Sequence, residues 1–292
     1  MSDAILQPAT KTHRDENFPV ASALIAQAHR PVVLAFYNFV RAADDIADSP
    51  ELSPDEKIAR LDRFEAALLG GDDGVEVAKP LRAALTARKL SARHALDLIY
   101  AFRMDATKTR YANFDELMHY CAYSAAPVGR FVLDVHGESE TTWPANDALC
   151  SALQIINHIQ DCGADYRNLD RVYIPQDALA KHGTDVAALA ADKATPALLA
   201  CLHELAARTA KLVGEGRTLS PQVKDLRLSL ETAVIGRLAQ TLVTLLQKRD
   251  PLSEKVHLSK PEFLVLTLAG IGDGLIGRVR GAPAAATQAR RA

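Results

Sequence analysis

The sequence predicts an all-α protein folded as a single-domain helical bundle, and three observations carry that prediction. The first is composition. Of 292 residues, 48% are hydrophobic but only 5% are aromatic, and Ala and Leu, both strong helix formers, are plentiful. The second is period. Apolar positions recur at three- and four-residue intervals, and no stretch shows the period of two expected of a half-buried strand. The third is punctuation. Pro, Gly and Ser divide the chain into about ten helical segments, with no repeat or composition shift to mark a second domain. One domain is therefore expected over 1–292, with its core at about 15–280 and flexible ends.

The first segment runs from Pro19 to about Asp48 and stops at Ser49-Pro50. Ser53-Pro54 supplies an N-cap and a first-turn proline, and Asp55-Glu56 favour the helix start that follows. That helix ends at Gly70-Gly71. A polar loop over 72–77 leads to a short helix from Pro80 to about Lys89, and Ser91 is read as the cap of the next, ending near Thr107. Phe114 to about Val135 reads as one helix kinked at Pro127. Asp147 to about Asp165 is a strongly periodic helix, followed by a polar loop to Pro175. Short helices fill 176–192. Pro196 to about Val213, Pro221 to about Gln247 and Lys260 to about Arg278 complete the set. The Ala/Pro-rich tail from Gly281 is expected to be disordered.

Charge and cysteine usage narrow the function. A net charge of −2 with no basic arm gives nucleic-acid binding little support. Cys121, Cys150, Cys162 and Cys201 form no CxxC pair, which fits a reduced, cytoplasmic setting. No signal-peptide pattern opens the chain and no run of about 20 apolar residues is present. Phe263–Ile276 comes nearest, interrupted by Asp273. It reads first as a buried core helix, and second as a helix touching a membrane or a lipid substrate. No P-loop, GxGxxG or GxSxG motif occurs.

The chemistry concentrates on two acidic segments. Tyr37, Arg41, Asp44 and Asp48 fall at i, i+4, i+7 and i+11, one stripe of a helix whose flanks are apolar. Three aspartates crowd its C-terminal turns, where each acid opposes the helix dipole at a cost on the order of 0.3–1 kcal/mol and neighbouring carboxylates repel. Something must offset this charge, and Mg²⁺, which favours carboxylate oxygen and bridges to phosphate, is the natural candidate. Gln154, Asn157, Asp161 and Asp165 repeat the pattern at i, i+3, i+7 and i+11. Facing one another, the two rows would make an acidic cage able to hold Mg²⁺ against a diphosphate. Arg171 and Tyr173, in the loop after Asp165, stand within reach of such a ligand or else belong to an ordinary exposed loop. Tyr120 opens a small-residue segment ending at Arg130 that serves close packing or ligand approach equally well. His158 lies off the acidic stripe and reads as structural.

At these residues the chain resembles the squalene/phytoene synthase family. Tyr37-x-x-x-Arg41-x-x-Asp44-Asp45-x-x-Asp48 is similar to its first aspartate motif and Asn157-x-x-x-Asp161-x-x-x-Asp165 to its second. Phe18 stands where that family places a cavity aromatic, and Tyr120 matches its tyrosine near the reacting carbons. The resemblance implies a class I isoprenoid synthase bundle with a central cavity. It assigns Asp44, Asp48, Asp161 and Asp165 to Mg²⁺, and Tyr37, Arg41, Tyr120 and Asn157 to catalysis. Phe18, Gln154, Gln160, Arg171 and Tyr173 are assigned to the substrate.

Within the family, the segments Glu16–Ser22, Ser124–Arg130 and Asn157–Cys162 most resemble the branch that makes hydroxysqualene in hopanoid biosynthesis. Two departures from the condensing members matter. Ala126-Pro127 replaces their Gly-Thr, and Gln160 replaces an arginine before the central aspartate of the second motif. Losing that cation suggests an enzyme that grips one diphosphate, ionising presqualene diphosphate and capturing the cation with water. Handover from a presqualene diphosphate synthase and peripheral membrane contact are the partners this implies. The alternatives are a condensing squalene or phytoene synthase, a head-to-tail prenyltransferase or terpene cyclase, and a non-catalytic helical metal-binding protein.

Overall fold

In a computed structural model, residues 26–281 are described, and among them the architecture is helix upon helix. Phe18, the segment Glu16–Ser22 and the expected tail lie outside the described residues. Among the described residues the one strand-like feature is an isolated parallel bridge between Arg110 and Val172.

The expected helix start at Pro19 also lies outside the described residues; residues 26–29 are not helical, and α1 (Arg30–Asp48) begins where Pro31, with no amide to donate, suits a first turn. Helix α2 (Pro54–Leu69) starts at the Ser53 N-cap as the sequence predicts, there completes a capping box with Glu56, and closes on left-handed Gly70. Then come α3 (Ala78–Arg88) and α4 (Arg93–Thr107). Ser91 accepts the Arg93 amide, but the N-cap position falls on Ala92.

The expected kinked helix is two, α5 (Phe114–Ser124) and α6 (Ala126–Val135), broken at Ala125 (φ −123°, ψ −51°), so that Pro127 falls in a first turn. Gly129 brings α6 against α7 (Trp143–Gln160): a Cβ there would stand 1.9 Å from Asn146 Oδ1. The second acidic row is likewise not one helix. α7 ends at Gln160, Asp161 sits in the bridge region (φ −101°, ψ 5°), and α8 (Cys162–Leu169) continues beyond it.

Helix α9 (Gln176–Lys181) and a 3₁₀ turn over Val186–Ala190 fill the expected short-helix region, and α10 (Pro196–Gly216) follows. Instead of one helix from Pro221, the chain makes a single turn, α11 (Leu219–Gln222), before α12 (Leu226–Leu246). The Asp225 side chain caps α12 through the Leu228 amide, and the Glu138 carboxylate takes the amides of Lys224 and Asp225. The last helix, α13 (Lys260–Gly281), runs past its expected end.

Two apolar clusters form the core. One joins α1–α4 with Phe131 and Val135 of α6. The other is built on α5, α7, α10 and α12. The rings of Phe36 and Phe131, stacked at 3.9 Å between centroids, pin α1 to α6. The expectation that Phe263–Ile276 is a buried core helix is not met. α13 packs on α12 through Gly270 and Gly274 and leaves its large apolar side chains outside. No described helix is long and apolar enough to cross a membrane.

Candidate active site

The stripe predicted on α1 is present on one continuous helix. Arg41 spans its neighbours, Nη1 donating to Asp44 and Nη2 to Asp45, both at 2.7 Å. The acids at this end of α1 are part-exposed, with 30% of the Asp44 side chain, 27% of Asp45 and 40% of Asp48 reaching solvent. Arg171 approaches from the far side of the chain, donating from Nη1 to Asp48 at 2.5 Å and from Nη2 to the Ala47 carbonyl at 2.7 Å. The acid crowding at the end of α1 is thus offset in part by two arginines.

The segment carrying Arg171 is no ordinary exposed loop. Arg171, Val172, Tyr173 and Ile174 are buried, and the segment is tied to the chain before α5 by Val172 N–H to Thr109 O at 2.9 Å and by the Arg110–Val172 bridge.

Asp105 on α4 organises the floor. It accepts from Tyr120 Oη at 2.8 Å on one oxygen and from Tyr173 Oη at 3.0 Å on the other. Tyr111 adds a third ring, 5.4 Å from Tyr120 and 5.5 Å from Tyr173. His158 stacks on Tyr173 at 3.6 Å and meets Gln154 Nε2 at 3.2 Å. Burial drives the His158 pKa down to about 3, so the ring is neutral. Burial and the adjacent Asp105 push the Tyr120 and Tyr173 phenols well above their ordinary range, so both stay protonated donors.

The two acidic segments face one another. Asp165 has its pKa raised to about 7, first by burial, then by the charges of Asp161 and Asp48. Asp44 is raised to about 7 by burial and Asp48, against the opposing pull of Arg41. Asp105 rises to about 6, chiefly by burial. Carboxylates from α1, α4 and α8 therefore share one field, with Arg41 and Arg171 among them. Half-buried Lys57 on α2 joins it, its pKa lowered by burial and by Arg171.

Sequence inspection missed Asp105, Tyr111 and Lys57. A signal existed for Asp105: it continues the buried stripe Leu98, Ala101, Phe102 of α4, where an unpaired acid would be out of place.

The remaining sequence candidates separate. Tyr37, Gln154 and Asn157 are half-buried, whereas Asp161 is exposed at the helix junction. Gln160 is buried and turns its Nε2 to the Val256 carbonyl. Among the described residues, no three His, Cys, Asp or Glu side chains converge as a ready-made metal site.

Solved structures identify the architecture. A squalene synthase of Alicyclobacillus acidocaldarius matches with a TM-score of 0.70 at 30% identity, over 77% of this chain and 85% of that one. A dehydrosqualene synthase shares the fold with a TM-score of 0.75 at 22% identity, over 88% and 90% of the two chains. An all-helical isoprenoid-synthase fold with an acid-lined site is thereby defined.

The sequence matches the squalene/phytoene synthase family over residues 11–262, and the chain belongs to that family of isoprenoid-biosynthesis enzymes. It is similar to proteins named hydroxysqualene synthase. That of Rhodopseudomonas palustris is 56% identical, with 92% of each chain covered. That of Zymomonas mobilis is 47% identical over 88% of this chain and 87% of its own.

Proposed function

We propose that the enzyme converts presqualene diphosphate and water to hydroxysqualene and diphosphate, with Mg²⁺ as cofactor. The observation that carries this is the shared field of Asp48 on α1 and Asp165 on α8, with Arg41 and Arg171 set among the acids. Burial first, and the neighbouring carboxylates second, hold Asp44 and Asp165 near pKa 7, so that ionising both calls for a cation beside them. Magnesium fits such a donor set, since it takes one or two carboxylates per ion and completes its octahedron with water and phosphate oxygen. Asp44, Asp48, Asp161 and Asp165 are the residues that would hold it, and it would supply charge neutralisation for the departing diphosphate.

The chain's own groups do the rest. Arg41 and Arg171 exchange carboxylate partners for diphosphate oxygens as the C–O bond breaks and its electron pair leaves with the diphosphate. The resulting carbocation lies against aromatic faces, Tyr120 and Tyr173 being aimed by Asp105. Rearrangement precedes attack by water, which forms the new C–O bond and loses a proton. Atoms and electrons balance without a reductant. Tyr37 shares α1 with Asp44 and Asp48, Asn157 stands in the last turn of α7 before Asp161, and the two complete the catalytic set. Gln154 lies beside the aromatic floor, and Phe18 is a proposed substrate contact from the sequence resemblance.

Gln160 supports a single diphosphate. Its side chain is uncharged and its amide is engaged with the Val256 carbonyl, so this position offers no cation to a second diphosphate.

Product analysis tests the reading. Incubation with presqualene diphosphate and Mg²⁺, without NADPH, is expected to yield a C30 alcohol by mass spectrometry. A hydrocarbon product, or formation of presqualene diphosphate from farnesyl diphosphate alone, would replace it with the condensing alternative.

A further inference from the structure

Helix α13 is amphipathic in reverse. Gly270 lies so close to α12 that a Cβ would stand 2.7 Å from the Val234 backbone, and at Gly274 it would stand 2.9 Å from Leu230. This small-residue face seats the helix on α12. The opposite face carries Leu264, Val265, Leu268, Leu275, Ile276 and Val279, which are 47–74% exposed.

On a 100° helical wheel these six fall within one sector of about 120°, centred opposite Gly270. They form a continuous stripe roughly 22 Å long at 1.5 Å per residue. Gly272, in the middle of the same sector, has nothing near its Cβ direction. The stripe contains no charge. Asp273 lies off it, near Arg217 and Arg237, and Arg278 turns aside to the carbonyls of Val223 and Lys224. Large exposed apolar surfaces of this kind are uncommon without a partner.

Charge selects the partner. Residues 248–292 hold eight Lys or Arg against four Asp or Glu, in a chain whose net charge is −2. At the Arg278 end of the stripe, Lys224 and Arg227 are exposed on either side of Leu226, itself exposed. Basic side chains at one end of an apolar ridge, with a C-terminal stretch of sequence rich in Lys and Arg, favour an anionic bilayer over a second copy of the same surface.

We infer that α13 is a monotopic docking helix. It lies in the headgroup layer of an anionic membrane, with Leu268 and Ile276 toward the acyl chains and the basic residues at the lipid phosphates. This deepens the proposed function, since an enzyme handling C30 lipids gains by collecting substrate from, and returning product to, a bilayer.

Co-sedimentation of the full chain with phosphatidylglycerol/phosphatidylcholine vesicles, in the absence of substrate, tests it separately from the proposed reaction. The wild type is expected in the pellet, with at least tenfold weaker partitioning onto pure phosphatidylcholine. The double variant Leu268→Glu/Ile276→Glu, whose side chains already face out, is expected to lose at least tenfold of the vesicle partitioning. Its circular dichroism, Tm and turnover of detergent-dispersed substrate should be unchanged. A wild type that stays in the supernatant overturns the inference, as does a variant that pellets equally well. So does a variant whose only change, by analytical ultracentrifugation, is loss of a dimer.

Discussion

Asp105 illustrates how far one buried charge shapes the site. Its two oxygens fix two phenols, and each hydrogen bond to a charged group is worth roughly 1.5–3 kcal/mol. Asp105→Asn keeps the size but leaves an amide that accepts from only one phenol. The expected result is a fall in kcat of about tenfold or more with little change in KM, read by steady-state kinetics beside an unshifted far-UV spectrum. Arg171 depends on shape as well as charge, because its fork reaches Asp48 and the Ala47 carbonyl together. A lysine ammonium is a point donor, so Arg171→Lys should lower kcat at least tenfold while the chain stays folded, again by kinetics and circular dichroism.

Asp44 and Asp165 set a pH dependence. Both have folded-state pKa values near 7, above the ordinary carboxylate value. Between about pH 4 and pH 7 the folded chain therefore binds more protons than the unfolded one. The ligand-free fold loses stability as pH rises through that window, with the full penalty present above it. Magnesium needs the ionised carboxylates and relieves their repulsion. The Mg²⁺-induced rise in Tm should accordingly be larger at about pH 8 than at about pH 5.5 by calorimetry.

At the scale of elements, close helix approach carries the energetics. Gly129 leaves no room for a methyl beside Asn146 and Cys150, so Gly129→Ala should force α6 from α7 at a cost of about 1–3 kcal/mol, measurable by urea denaturation. Helix starts with local signals were legible in the sequence: Ser53-Pro54 with the acids after it, and Pro196 in its first turn, act locally and declare themselves locally. The breaks were not. α7 ends at Gln160, whose side chain is taken by Val256, ninety-six residues away, and α8 is seated where Gly163 meets Leu252. Apolar content misled at α13 for a related reason. It announces a wish for burial without saying whether a partner remains to provide it.

For the whole molecule, the acidic pattern could be read because each row repeats on a helical period within a dozen residues. Asp105 and Lys57 stand alone in their segments, and acquire meaning only when α4 and α2 are packed against α1 and the Arg171 segment. Asp44→Asn and Asp161→Asn separate an enzyme from a scaffold. Each is expected to abolish product in single-turnover assays, with a Tm equal to or above that of the wild type, since each removes like-charge repulsion. Unchanged turnover would exclude the proposed catalysis.

The tie between Arg110 and Val172, with the Arg171–Asp48 contact beside it, has a consequence in time. Together they join stretches of chain 62 and 123 residues apart, whereas the helices themselves close within single turns. Long closures are entropically costly and slow to find. Competence should therefore arrive late: a chain diluted out of denaturant should regain its helical signal before it regains turnover. Manual-mixing kinetics that follow both signals on one sample would show the lag.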